Sequence, residues 1–188
     1  MSDLIVNSIY FKRVNKHQKE WVDDNTFEEI PFVVTEIFID KKNLIEHLKK
    51  FELPFANKIE RPEIAGLYIG NDPSNHLEKT YNLEDFTSNS QIDLFQCEKC
   101  MSAICPYRLT FNMRKEGKYI YWFNFQQTKT NYPYLVPPYN NKKSPHQKLM
   151  EVKAGWKYDE FGPFVFLEEN YSLALKELRQ TISEENRF

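Results

Sequence analysis

The run Tyr119-Ile120-Tyr121-Trp122-Phe123-Asn124-Phe125-Gln126-Gln127 constrains the fold more than any other stretch of this chain. It follows Arg114-Lys115-Glu116-Gly117, and before that turn Leu109, Phe111 and Met113 alternate with Arg108, Thr110, Asn112 and Arg114. Alternation with a period of two marks a half-buried strand, because successive side chains leave opposite faces of a sheet. Gly117 supplies the positive φ that a tight turn requires. The pattern predicts an antiparallel hairpin from Tyr107 to Phe125. Its second strand is apolar on both faces, which places it centrally in a sheet.

A second aromatic stretch runs from Gly155 to Tyr171. Pro163 to Leu167 reads as a last strand, and Glu168-Glu169 open a helix, where acidic residues suit the positive end of the dipole. Tyr171, Ala174, Leu175, Leu178 and Ile182 form one helical stripe, predicted to pack on the sheet.

The rest of the chain is patterned more weakly. Residues 1–12 predict a first short strand with Leu4, Val6 and Ile9 as anchors, and residues 13–30 a loop or weak helix. Pro31 to Ile39 reads as a strand. Asp40 offers an N-cap to a helix from Lys41 to Phe51, with Leu44, Ile45, Leu48 and Phe51 on one face and Pro54 as its stop. Residues 54–90 read as irregular, apart from a short strand at Leu67-Tyr68-Ile69 and a turn cluster at Asn71-Asp72-Pro73-Ser74-Asn75. Ile92 to Phe95 is another short strand. Residues 126–154 are expected to be a long loop.

Strand, helix, several antiparallel strands and a closing helix define an α+β fold, mainly antiparallel sheet with a C-terminal amphipathic helix packed on it. At 188 residues one domain covering 1–188 is expected, with 91–188 holding the hairpin, long loop, strand and closing helix.

Bulk properties exclude several classes of function. Only 5 glycines are present, and neither G-x-G-x-x-G nor G-x-x-x-x-G-K-[ST] occurs, so a glycine-rich phosphate cradle is not expected. A net charge of -2 and a pI near 6.1 argue against a nucleic-acid partner. A mean hydropathy of -0.65 and the lack of a basic n-region or a long apolar run predict a cytoplasmic protein with no membrane partner. The odd count of 3 cysteines does not form a secreted disulfide framework.

Cys97, Cys100 and Cys105 form the sharpest chemical candidate. Cys-x-x-Cys spacing lets two thiolates share one zinc, with Cys105 as a third ligand and His17, His47, His76 or His146 as the fourth. Reduced thiols in a turn explain the same residues. Pro106 and the hairpin behind it argue against a redox motif, which opens a helix. The histidines share no catalytic motif. Asp23-Asp24, Glu28-Glu29, Asp159-Glu160 and Glu168-Glu169 are adjacent acids, which a strand sends to opposite faces, so they read as solvated edges or as an acidic docking surface. Tyr132, Tyr134 and Tyr139 lie among prolines and read either as a binding surface or as a lid pinned to the core.

From Cys100 to Leu178 the chain resembles an uncharacterised bacterial family. The shared pattern is a cysteine turn, a Trp-x-Asn-Phe strand (Trp122 to Phe125), Trp156-Lys157-Tyr158, Gly162-Pro163-Phe164-Val165-Phe166, and a helix opening at Tyr171-Ser172-Leu173-Ala174-Leu175. Such families resemble immunity proteins of polymorphic or contact-dependent toxin systems. The resemblance implies no catalytic residues and no cofactor. It implies a non-enzymatic cytosolic protein that occludes the active site of a cognate protein toxin. The contacts expected are Asp23, Asp24, Glu28, Glu29, Tyr132, Tyr134, Tyr139, Asp159 and Glu160. The alternatives are a zinc-binding domain or small-molecule enzyme built on Cys97, Cys100 and Cys105, and an accessory scaffold.

Overall fold

The structure is a computed structural model that describes residues 4–23, 26–69, 91–97, 107–129, 145–185 and 187. It is an α+β fold, with two antiparallel sheets and three α-helices among the described residues. β1 (Ile9–Asp23), β2 (Thr26–Ile39) and β3 (Lys42–Asn43) form the first sheet. β4 (Tyr68–Ile69), β5 (Gln91–Cys97), β6 (Tyr107–Glu116), β7 (Tyr119–Lys129) and β8 (Phe164–Leu167) form the second, in chain order. The helices are α1 (Leu44–Lys58), α2 (Pro145–Ala154) and α3 (Glu168–Glu185). The sheets meet at Asn7. Its N–H donates to the Val165 carbonyl at 2.6 Å, and its Oδ1 accepts from the Val165 N–H at 3.0 Å. Among the described residues no helix is long and apolar enough to cross a membrane.

The β6–β7 hairpin forms as its alternation predicts, and β7 lies inside the sheet between β6 and β8. β6 runs on to Glu116, so the turn is Gly117-Lys118, with Gly117 at φ +58. Thr110 pairs with Gln126 and Asn112 with Phe123, so Asn124 and Phe125 both stand opposite Phe111. This bulge, with Asn124 at φ +53, shifts the alternation by one. Phe125 and Gln127 therefore join Ile120 and Trp122 on the buried face instead of leaving it.

The core lies between the inner face of the second sheet and helices α1 and α3. On α3 the predicted stripe is buried at Tyr171, Ala174, Leu175 and Leu178, and Ile182 packs at its margin. Trp122 meets Phe166 and Tyr171 edge-on at 5.3 and 6.0 Å between ring centroids. Its indole N–H donates to the Met113 sulfur at 3.2 Å, which also accepts the Tyr171 hydroxyl at 3.4 Å. A thioether so satisfies two polar tips within an aromatic core.

Residues 13–30 differ from expectation. Of these, 13–23 and 26–30 are strand, and with 9–12 and 31–39 they make a hairpin of 15- and 14-residue strands. Helical periodicity is absent there, and the polar alternation of a solvated two-stranded ribbon resembles a loop when read without its partner. Pro31 is compatible with this ribbon. Ile39 faces away from β1 to pair with Lys42 across the two-residue turn Asp40-Lys41. Pro31 lies an even number of residues earlier, so its nitrogen faces the same outer edge and removes no bond from the β1 ladder.

The first helix also differs. Asp40 (φ 50) and Lys41 (φ 67) form a type I′ turn and not a cap. Asn43 is the N-cap, its Oδ1 accepting from the Ile45 N–H at 2.9 Å. Asp40 instead takes hydrogen bonds from the Asn7 amide at 2.7 Å and the Ser8 N–H at 2.8 Å. Pro54 does not stop α1, which continues to Lys58 because Glu52 and Ala56 extend the buried face of Leu44 and Leu48. The expected loop at 126–154 gives its first residues to β7 and its last to α2. The turn cluster at 71–75 lies outside the described residues.

Candidate functional site

The densest cluster of ionisable groups among the described residues is one that no sequence motif announced. Glu52 on α1 and Lys153 on α2 are both fully buried, with Nζ 3.1 Å from Oε2. Burying two charges costs several kcal/mol each, on the order of the Coulomb gain, unless their remaining hydrogen-bond capacity is met. Here it is. Glu52 also accepts from the Gly66 N–H at 2.7 Å, the Tyr68 hydroxyl at 3.0 Å and the Tyr158 hydroxyl at 2.6 Å. Lys153 also donates to the Ile64 carbonyl at 3.2 Å, and its Nζ lies 4.1 Å from the Tyr68 ring centroid and 5.7 Å from that of Trp156.

Each member is placed by a different piece of local structure. Glu52 falls one turn after Leu48 on the buried stripe of α1. Gly66, at φ +75, brings its N–H to the carboxylate. A Cβ there would come within 2.7 Å of Lys49 Cβ. Tyr68 begins at β4 and Tyr158 at a 3-10 turn, Tyr158–Glu160. The β7 bulge delivers Gln127, whose Oε1 lies 2.6 Å from the Tyr68 oxygen and whose Nε2 has no partner. Tyr68 has one hydroxyl proton and three oxygens in reach, those of Glu52, Gln127 and, at 3.2 Å, the Tyr158 hydroxyl. A half-turn of the Gln127 amide would let Nε2 donate to Tyr68 while Tyr68 donates to Glu52.

Both phenols are held protonated. Burial first, then Tyr158 and Glu52, push the Tyr68 hydroxyl well above the ordinary phenol range. Burial and then the Glu52 charge and hydrogen bond push Tyr158 up as well, against the opposing bond from Tyr68. Two phenols locked as donors serve a carboxylate, and neither is available as a base. The cluster is closed to solvent and joins α1, α2, β4 and β7 through one charge pair. Sequence reading missed it because Lys153 fell in the expected loop. The available signal was Glu52 itself, a charge four residues after Leu48 on an apolar stripe.

The sequence-predicted residues divide into two places and a remainder. Asp23, Glu28 and Glu29 lie at the far end of the β1–β2 hairpin, where Lys19 pairs with Glu29, Glu20 with Glu28 and Trp21 with Phe27. Glu29 is exposed. Asp159 and Glu160 are exposed in the 3-10 turn Tyr158–Glu160, Glu160 paired with Lys157 at 3.1 Å. Asp24, Tyr132, Tyr134 and Tyr139 lie outside the described residues, as do Cys100, Cys105 and His76.

Cys97 ends β5, opposite Tyr68. Among the described residues no group of three or more His, Cys, Asp and Glu is placed to hold a metal. His47 is not a plain surface residue. Its Nε2 stands 3.0 Å from the Ile39 carbonyl, and its ring meets Phe164 edge-on. His17 is exposed on β1, and His146 lies in α2.

The hairpin is a long arm. At about 3.3 Å per residue its 15-residue strand spans roughly 50 Å. Its base is packed: Ile9, Val34, Thr35, Ile37 and Ile39 are buried, and Arg13 pairs with Glu185 of α3 at 2.9 Å. Beyond the Val14–Val34 pair, burial is described for residues 15–17, 29 and 31–33; none of these is buried, and Asn15, His17, Glu29 and Pro31 are exposed. Residues 20–29 hold five carboxylates and no cation.

No protein-family model matches the chain, and no curated protein or solved structure matches it either.

Proposed function

We propose that this chain is a non-enzymatic binding protein that docks a basic protein partner, in the manner of an immunity protein occluding the active site of a cognate toxin. The observation that carries it is the β1–β2 arm. It extends acidic residues Asp23, Glu28 and Glu29 well past the packed base of the fold. Glu20 and Glu28 are register partners, and like charges at opposed positions of a ladder are unfavourable alone and relieved by a cationic partner. Acidic surfaces of this kind raise association rates toward basic partners, and a few buried aromatic contacts slow dissociation. Trp21 and Phe27, paired between the acids, are the aromatic residues nearest that end.

The test uses the product of the reading frame beside this one. The expected result is nanomolar binding, loss of the toxin's activity, and an association rate that falls with salt. The double variant Glu28→Lys/Glu29→Lys should cut that rate at least about tenfold while the melting temperature holds. No binding at micromolar concentration, or equal binding by the double variant, overturns the proposal.

A further inference from the structure

The cradle around Glu52 is complete without the helix that fills it. Three donors hold the carboxylate before Lys153 is counted: Gly66 N–H, Tyr68 hydroxyl and Tyr158 hydroxyl. They come from the segment before β4, from β4 and from the 3-10 turn Tyr158–Glu160, and Glu52 itself from α1. The Ile64 carbonyl and the faces of Tyr68 and Trp156 add an acceptor and two π-surfaces. A carboxylate, a carbonyl and ring faces around one point are what a primary ammonium requires, with its three donors and compact charge. From α2 the cradle receives the Lys153 side chain. Of the α2 residues whose exposure is described, Lys153 alone is buried, while Lys148, Val152 and Ala154 are exposed. An ordinary helix docks through an apolar stripe. Here the one α2 side chain described as buried is a cation.

We propose that the cradle is a binding site for a primary alkylammonium group, and that Lys153 occupies it as a tethered ligand carried on α2. This is independent of the docking arm. A free alkylammonium ion and the lysine of another chain share that chemistry. Either enters by displacing Lys153, since both charges of the pair are out of solvent. The tether gives Lys153 an effective concentration on the order of millimolar or more, so the intact chain resists dilute amines.

Lys153→Ala removes the segment from Cγ to Nζ, which has the outline of n-propylammonium. Thermal unfolding of this variant is followed with n-propylammonium chloride, with tetramethylammonium chloride and sodium chloride at equal ionic strength, and with a capped Ala-Lys-Ala peptide. The expected result is a rise of roughly 3–5 °C in Tm once n-propylammonium exceeds its Kd about tenfold. Tetramethylammonium, which has no N–H, and sodium should give none. The wild type and the double variant Lys153→Ala/Glu52→Gln should not respond to any of the salts.

Stabilisation by the peptide as well assigns the source to a partner's lysine, and stabilisation by the small ion alone to a free amine. If Lys153→Ala does not fold, it is diluted from urea into each salt, and recovery of near-UV circular dichroism only with n-propylammonium supports the site. Equal behaviour in all salts, in the folded variant or in refolding, overturns it.

Discussion

Lys41 and Glu60 hold backbone conformations that glycine normally takes. Lys41 is the second residue of a type I′ turn at φ 67. Glu60, at φ 55, follows α1, where the Arg61 N–H returns to the Ala56 carbonyl at 3.0 Å and the Glu60 N–H to Asn57 at 3.1 Å. That pair of bonds is a Schellman cap, whose C′ residue is usually glycine. With 5 glycines in 188 residues, this chain accepts left-handed strain at ordinary residues. Both positions are exposed. Lys41→Gly and Glu60→Gly should each stabilise by about 0.5–1 kcal/mol, the relief of strain less the added freedom of the unfolded chain, read from urea unfolding. Glu52 is the opposite case, a residue whose neighbours all depend on it. Glu52→Gln should cost about 3–5 kcal/mol because it leaves a buried ammonium without its counter-charge. Adding Lys153→Met should restore much of that loss, giving a large coupling in a double-mutant cycle. Additive losses would show that the pair does not act as one.

At the scale of elements, α1 and the hairpin base carry the informative compromises. Pro54 lies inside α1 and removes one bond from its ladder, yet the helix continues because Glu52 and Ala56 bury beyond it. Pro54→Ala should therefore stabilise by about 1–2 kcal/mol and leave the far-UV spectrum unchanged. Asp40 fastens the hairpin base to the N-terminal segment. Burial alone would raise its carboxyl, but hydrogen bonds from Asn7 and Ser8 and the charge of His47 outweigh it and hold it below its ordinary value. A lowered folded value contributes stability above the unfolded value of 3.8 and loses it as pH falls through the lower folded one. Asp40→Asn should thus be less stable than wild type at pH 6, with the gap closing below about pH 3.8 in acid titrations of Tm. A gap that persisted at low pH would mean the carboxylate charge is not what fastens the strand.

Across the whole molecule, legibility followed the range of the interactions. The β6–β7 hairpin, β8 and the α3 stripe were readable because neighbours in sequence are neighbours in space there, and a period of two or 3.6 records the buried face directly. The α+β class followed from that order of elements. Residues 13–23 and 26–30 were not readable as strand, since a solvated ribbon shows its nature only through the partner strand. The register of β1 with β2 settles it. The candidate acids Asp23, Glu28 and Glu29 could be named from composition, but their position at the end of an arm came from that pairing. The Glu52 cluster was beyond reach for a stronger reason. Its members lie as far apart as residues 52 and 153, and whether a lone glutamate on an apolar stripe is tolerated depends on partners that no local pattern encodes. Local chemistry determined the β6–β7 hairpin, β8 and α3 and which faces they bury. Tertiary structure alone decided which charges meet, because burial of a charge is permitted or forbidden by everything packed around it.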